Sequence, residues 1–268
     1  MKTNFPDLPE KIKLLVSGKD FNSNDIGKSD AKVLMFDDCV LKIEPRSAYK
    51  EKSLEVLRWL EGKLPVPKIL ACESDEAKGL QYLLMSKIPG KMSCDDYYMS
   101  RPAELVEKLA AALKLLWSVD ISDCPRTRTI DDELKAARYR VENNLVDLSD
   151  AEPSTYGPDG FENPMKLLEW LENNRPNYEP VFSHGDFCLP NIFIDGTKIG
   201  GFIDLGDAGV GDKWRDIVLC YRSLRWNAEG AYGGNVYPDV KSQMLFDALG
   251  IEPNLEKIRF YILLDELF

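Results

Sequence analysis

The sequence has a single histidine, His184, in 268 residues, and none of its six cysteines stands in a C-x-x-C pair. Zinc sites draw on clustered Cys and His, so zinc chemistry has little to build on. A Ser-His-Asp hydrolase would have to use His184, yet no G-x-S-x-G elbow accompanies it. Cys39, Cys72, Cys94, Cys124, Cys188 and Cys220 are scattered, a pattern that suits reduced thiols filling apolar space. Long apolar runs are missing too: none reaches the roughly 18 residues of a membrane helix. Residues 1–6 lack the apolar stretch of a signal peptide. These absences predict a cytoplasmic chain with no membrane partner. Basic residues are in deficit, 34 Lys and Arg against 45 Asp and Glu, for a net charge of −11. A nucleic-acid backbone needs clustered cations, so nucleic acid is disfavoured as a partner and a cationic small molecule is a natural one. Solubility is the plain alternative reading of the acidity. No internal repeat or low-complexity tract is present.

What is present reads as α+β in two lobes, because 268 residues are long for one hydrophobic core. Residues 31–36 and 39–43 are strand-like runs joined by Asp37 and Asp38, a hairpin signal. Leu54, Leu57 and Leu60 then follow at helical spacing until Gly62, and residues 82–85 form a third apolar run. The Pro89-Gly90 break marks a linker, so the expected division is residues 1–86, a hinge at 87–91, and residues 92–268. Beyond it Leu105, Leu109, Leu113 and Leu116 make a helical stripe behind Ser100 and Pro102. Further helices are expected over 131–148, 164–173, 214–225, 239–249 and from about 253 to near the end. Residues 192–194 and 201–203 read as short strands.

The densest chemical signal is His184-Gly185-Asp186, with Asn191 five residues after the Asp, a short hairpin, and then Asp204 at the end of an apolar run. Phosphoryl transfer needs a carboxylate near the attacking hydroxyl and oxygen ligands for Mg²⁺, and an H-x-D-x-x-x-x-N spacing followed by D-x-G supplies them. Asp186 is then the base, and Asn191 and Asp204 the metal ligands, hard oxygen donors of the kind Mg²⁺ takes. His184 orders the loop by hydrogen bonding. Taken singly, the fragments read as a turn and a strand-end cap; their order favours the chemistry. Upstream, Gly27 to Asp30 precedes the first strand and Lys42 lies in the second, on the strand face opposite Leu41 and Ile43. Each alone reads as an ordinary surface feature, since no G-x-G-x-x-G or P-loop is present.

These residues, with the runs 59–68, 120–125 and 212–214 and the ending Tyr261 to Phe268, resemble the aminoglycoside 3′-phosphotransferase family across nearly the whole chain. The resemblance implies a protein-kinase-like two-lobe fold with a β-rich N-terminal lobe covering the nucleotide and a mainly helical C-terminal lobe. It implies transfer of the γ-phosphoryl group of ATP, with GTP possible, to the 3′-hydroxyl of an aminoglycoside such as kanamycin or neomycin, with Mg²⁺ and with antibiotic resistance as the outcome. By matching positions, Lys42 contacts nucleotide phosphates, Ser29 belongs to the phosphate-covering loop, backbone groups of Ser86 and Ile88 meet the adenine edge, and Asp216 braces the catalytic loop. The Glu266 side chain and the terminal carboxylate of Phe268 match drug-binding groups. A monomer or weak dimer is expected.

Residues 141–165 carry Glu142, Asp147, Asp150, Glu152, Asp159 and Glu162 and no Lys or Arg, which suits a polycationic substrate; Asp159 is the leading candidate among them. A solvated connector is the alternative. Three positions depart from the family pattern: Ser53 stands where a glutamate is expected to pair with Lys42, Val40 where an aromatic stacks on adenine, and Asp207 where Arg is common. Asp207 is expected to add negative charge beside Asp204. Competing readings are a kinase of another small hydroxylated metabolite or antibiotic, and a nucleotide-binding pseudoenzyme.

Overall fold

The computed structural model describes residues 7–24 and 31–268. Its N-terminal part is a helix, α1 (Glu10–Val16), and five strands, β1 (Asn22–Asn24), β2 (Lys32–Met35), β3 (Cys39–Pro45), β4 (Ile69–Asp75) and β5 (Leu80–Ser86), with helix α2 (Ala48–Leu60) between β3 and β4. The strands form one antiparallel sheet in the order β1-β2-β3-β5-β4. The expected hairpin closes through the Phe36 N–H to Cys39 carbonyl bond at 2.9 Å. Side chains alternate across a strand. Leu41 and Ile43 therefore join Leu34, Phe36, Tyr82, Leu84 and the α1 residues Ile12 and Val16 in one small core, which leaves Val40, Lys42 and Glu44 on the other face. Neither α1 nor β4 stands out in the sequence. Helix α1 has seven residues behind Pro9 and no side-chain cap, and β4 is an edge strand whose polar residues and register shift blur its alternation.

Helix α2 turns its apolar face the other way. Val56, Leu57 and Leu60 belong with Leu83 to the large core that fills the rest of the molecule. The centre of that core is α4 (Pro102–Trp117), whose Leu105, Leu109, Leu113 and Leu116 are all fully buried, as the stripe predicts. It follows β6 (Lys91–Met92) and a short turn of helix, α3 (Asp96–Met99). Around it lie α5 (Ile130–Glu142), α6 (Pro164–Asn173), α7 (Lys213–Glu229), α8 (Met244–Leu249) and α9 (Leu255–Asp265). Helix α5 stops six residues short of the expected 148, because Asn144 adopts a left-handed conformation at φ 54°. The acidic connector to α6 therefore begins earlier. The expected helix over 239–249 contracts to α8 at its N-terminal end and keeps its end at Leu249. Among the described residues no helix is long and apolar enough to cross a membrane.

The site is carried by four short strands, β7 (Pro180–Ser183), β8 (Ile192–Asp195), β9 (Lys198–Phe202) and β10 (Gly209–Asp212). β7 pairs with β10, and β8 pairs with β9 and β6. The segment leaving β5 is pressed against this hairpin. Gly90 has φ +92°, and a Cβ there would stand 2.1 Å from the Ile194 carbonyl oxygen, so glycine is required on both counts.

Candidate active site

The segment after β7 cannot wander, because a carboxylate of α7 gathers its backbone. Asp216, fully buried, accepts from the Ser183 hydroxyl, the His184 N–H and the Gly185 N–H, all at 3.0 Å. Burial raises its carboxyl above the ordinary value, opposed by His184 and by these hydrogen bonds. Arg215 completes the hold, donating from Nε to the Gly185 carbonyl at 3.0 Å. Gly185 has φ +81° and lies so close to the Leu205–Asp207 turn that a Cβ would meet the Asp207 carbonyl oxygen at 2.4 Å. His184 is buried and bonded at both nitrogens: Nδ1 accepts from the Asp186 N–H at 3.3 Å, which leaves Nε2 to donate to the Ile203 carbonyl at 3.0 Å. The only histidine thus ties the loop of Asp186 to the strand end before Asp204.

Asp186 is half-buried. Its Oδ2 accepts from Asn191 Nδ2 at 2.9 Å and its Oδ1 from the Cys188 thiol at 3.0 Å. The same Asn191 nitrogen donates to the Asp186 carbonyl, so the amide is oriented and its oxygen is left for another partner. Asn191 is linked to the second motif through the Ile203 N–H, which donates to its carbonyl at 3.0 Å. Next in sequence, Asp204 sits in the left-handed region at φ 56°, a conformation Asp tolerates better than most residues, with its carboxylate exposed. From the sheet, Lys42 Nζ reaches within 3.7 Å of Asp204 Oδ1 and 3.5 Å of Glu44 Oε2. The donor set of Asn191 and Asp204, one amide oxygen and one carboxylate, fits Mg²⁺. No group of three His, Cys, Asp or Glu ligands gathers among the described residues; a Mg²⁺ ion held by Asn191 and Asp204 would take its remaining ligands from phosphate and water, as Mg²⁺ ordinarily does.

Ser29 lies outside the described residues. Ser86 donates its N–H to the Lys68 carbonyl at 2.9 Å, and its hydroxyl oxygen accepts from the Lys68 N–H at 3.0 Å. Ile88 follows β5, and its side chain packs on Gly201, where a Cβ would lie 2.9 Å from Ile88 Cδ1. Val40 presents an aliphatic side chain on the Lys42 face of the sheet.

The departures at Ser53 and Asp207 belong to one network. The Ser53 hydroxyl lies 2.9 Å from the carbonyl oxygens of Tyr49 and Gly206 and accepts from Arg126 at 3.0 Å. Arg126 also holds the Gly206 and Tyr49 carbonyls. Asp207 pairs with Arg128 and accepts from the Tyr49 hydroxyl. Desolvation pushes its carboxyl up, but Arg128 and Tyr49 outweigh this and hold it below the usual carboxylate range. The charge expected beside Asp204 is therefore matched by Arg128, which is itself anchored on Glu133 at 3.1 Å.

On the other side of Asp186 the acids come with arginines. Asp265 pairs with Arg222 and, at 3.4 Å, with Arg215. Glu266 is buried, accepts from the Glu152 N–H at 3.0 Å and stands 3.8 Å from Arg222. Glu152 pairs with Arg225 at 2.6 Å. The Phe268 carbonyl accepts from Arg140 at 2.6 Å, so the chain end is held by a cation. A cavity of about 400 Å³ opens here between residues 151–153 and the end of α7, lined by Glu152, Arg225, Trp226 and Glu229. Trp226 meets Tyr232 edge to face at 6.0 Å. Asp159 is exposed in the connector and does not line this cavity; Glu152 is the connector acid that joins Glu266. The arginines of α7 escape a reading that weighs acids alone. Arg215, Arg222 and Arg225, spaced seven and three apart on one helix, are the signal that would have found them.

Burial pushes the Glu266 carboxyl up to about 7, against the pull of the Glu152 N–H and Arg222. Between its ordinary 4.5 and that value the native protein holds a proton that the unfolded chain has released. This contribution to stability is full below 4.5 and is lost as pH rises toward 7, by at most about 1.4 kcal/mol per pH unit. Glu266→Gln keeps an acceptor for Glu152 and removes the titration. In urea unfolding at pH 5, 6 and 7 the variant is expected to lose less stability with rising pH than the wild type; parallel slopes would refute the assignment.

Known proteins share this arrangement of elements. The sequence profile of the phosphotransferase enzyme family matches residues 24–242. The aminoglycoside 3′-phosphotransferase of Enterococcus faecalis is 40% identical over 219 residues, covering 81% of this chain and 78% of that protein. That of Niallia circulans is 35% identical and covers 97% of each. Among solved structures, an aminoglycoside-3′-phosphotransferase of type VIII superposes with a TM-score of 0.80 at 25% identity, covering 96% of this chain and 97% of that one. An aminoglycoside phosphotransferase from Streptomyces rimosus, in complex with ADP and streptomycin, gives 0.73 at 24% identity with the same coverage. The fold is thus the protein-kinase-like α+β fold, and the chain belongs to the phosphotransferase enzyme family, in the aminoglycoside 3′-phosphotransferase group.

Proposed function

We propose that this protein transfers the γ-phosphoryl group of ATP or GTP to the 3′-hydroxyl of an aminoglycoside of the kanamycin or neomycin type, in the cytoplasm, and so confers resistance. The observation that carries the reading is the meeting of Lys42 from the sheet with Asp204 at 3.7 Å, beside an Asp186 whose loop is held by Asp216 and His184. The names of the relatives at 35–40% identity supply the acceptor class.

Asp186 faces the acceptor hydroxyl and takes its proton as the oxygen attacks the γ-phosphorus; the bond to the β–γ bridging oxygen breaks and the nucleoside diphosphate leaves. Asn191 fixes the Asp186 carboxylate, and Lys42 balances phosphate charge in a site built before the substrates arrive. Asn191 and Asp204 hold Mg²⁺, which supplies neutralisation of charge on the phosphates. The Ser86 carbonyl and the Ile88 N–H serve the purine edge, and Ser29 the covering loop. Glu266, Asp159 and the Phe268 carboxylate, with Glu152 and Glu229, attract the ammonium groups of the drug.

The test is incubation of purified protein with Mg²⁺, ATP or GTP, and a drug panel, with the added phosphate located by NMR. Kanamycin is expected to gain phosphate at the 3′-oxygen, and an analogue lacking that hydroxyl to gain none. Phosphorylation of a neutral sugar and of no aminoglycoside would overturn the acceptor class.

A further inference from the structure

Lys42 carries the cation on which the nucleotide side of the site depends, yet α2 offers it no acid. Ser53 is occupied with Arg126 and Gly206, Glu51 pairs with Arg46, and Glu55 with Lys52. A carboxylate stands instead on the same strand. Glu44, two residues on and hence on the same face of β3, is only 5% exposed. Its Oε2 lies 3.5 Å from Lys42 Nζ and 2.9 Å from Nζ of Lys50, which reaches down from the first turn of α2. A carboxylate buried this deeply is stable only when opposing charge surrounds it, and here two ammonium groups do so.

We propose that Glu44 is the positioning residue for Lys42, and that Lys42, Glu44 and Lys50 form a triad of net charge +1 that meets the nucleotide phosphates. The inference rests on the phosphotransfer reading for its ligand. The other acid near Lys42, Asp204, is exposed and belongs to the donor set for Mg²⁺. A carboxylate that gives its charge to the metal attracts the lysine less. Once a metal-nucleotide fills the cleft, Glu44 is the acid that still holds Lys42 extended along the sheet. Lys50 keeps Glu44 from folding onto Lys42 alone, so that the Lys42 ammonium retains a free hydrogen for phosphate. The geometry assigns to one strand a task that the expected pairing would have divided between a strand and a helix.

The experiment measures ADP binding with Mg²⁺ by calorimetry on the full chain, so no acceptor is involved, alongside steady-state kinetics. Glu44→Gln is expected to weaken ADP and raise the KM for ATP about tenfold, with the KM for kanamycin unchanged. Added to Lys42→Met, it is expected to have almost no further effect, because it acts through that lysine. If Glu44→Gln alone folds poorly with two uncompensated lysines, Glu44→Gln with Lys50→Gln restores the balance and carries the same comparison. Unaltered ADP affinity, or full additivity with Lys42→Met, would overturn the assignment. Wild-type protein that binds ADP but phosphorylates no aminoglycoside would overturn the acceptor reading and leave Glu44 to be judged by binding; no ADP binding at all would overturn both.

Discussion

Replacing Asp186 by Asn is expected to lower turnover by about a thousandfold or more, within the range that a positioned general base supplies. The fold should not notice. Asn has the size of Asp, and its amide can turn its oxygen toward Asn191 Nδ2 and its nitrogen toward Cys188 Sγ, keeping both of the observed contacts. Stability should therefore change by less than about 1 kcal/mol. ADP affinity should stay within about a factor of two, since the proposed mechanism sets Asp186 toward the acceptor and gives the phosphates to Lys42 and Asp204. Three measurements decide the matter: initial rates of ADP formation with kanamycin, calorimetric ADP binding, and urea unfolding. Turnover close to that of the wild type would remove Asp186 from the mechanism. A fall in activity accompanied by an equal loss of stability would make it a structural residue.

The second large effect belongs to a residue that touches no substrate. Asp216→Ala leaves two donors, the Ser183 hydroxyl and the His184 N–H, without acceptors in a fully buried place, and takes from the Gly185 N–H one of its two acceptors, the other being Ser183 Oγ at 3.1 Å. Each orphaned group costs about 1–3 kcal/mol, so a total near 4 kcal/mol is expected. For a chain of this size that is a drop in Tm of about 10 °C. Activity at a temperature where the variant remains folded is expected to fall about a hundredfold, because Asp186 follows immediately on the released segment and a small misplacement of a catalytic group carries such a penalty. Asp216→Asn should lie between, since its oxygen can still serve Ser183 and Gly185 while its NH₂ group opposes the His184 N–H. A stability change under about 1 kcal/mol for the Ala variant would show that solvent replaces the carboxylate, contrary to its burial.

The acceptor side illustrates why charge along the chain is an incomplete guide to charge in space. Residues 141–165 are free of basic residues in sequence, yet Glu152 emerges beside Arg225 and beneath Glu266, with Arg222 between Glu266 and Asp265. The acids are thus already partnered, and a polycationic drug bound as proposed would compete with guanidinium groups for them. Such a site discriminates by geometry as well as by charge, since only an ammonium placed to replace an arginine contact gains its full energy. The aromatic pair of Trp226 and Tyr232 adds a surface against which a sugar ring can lie.

Local regularities were readable without coordinates. The stripe of α4, the β2–β3 hairpin and the β8–β9 hairpin follow from apolar spacing and turn residues within a few positions of one another. The ordered series His184, Asp186, Asn191 and Asp204 is likewise compact in sequence, so its convergence is mostly a property of one short stretch of chain. Helix α1 and strand β4 were not readable, being too short or too polar for their periods to show. Tertiary structure alone decided the partners. Glu44 and Asp204 rather than an acid of α2 stand beside Lys42, Arg128 takes up the charge of Asp207, and the Glu152 N–H is the connector group that reaches Glu266. The physical reason is range: periodicity and capping are settled by neighbours along the chain, whereas an ion pair depends on where two distant segments come to rest, and that is set by the packing of the whole core.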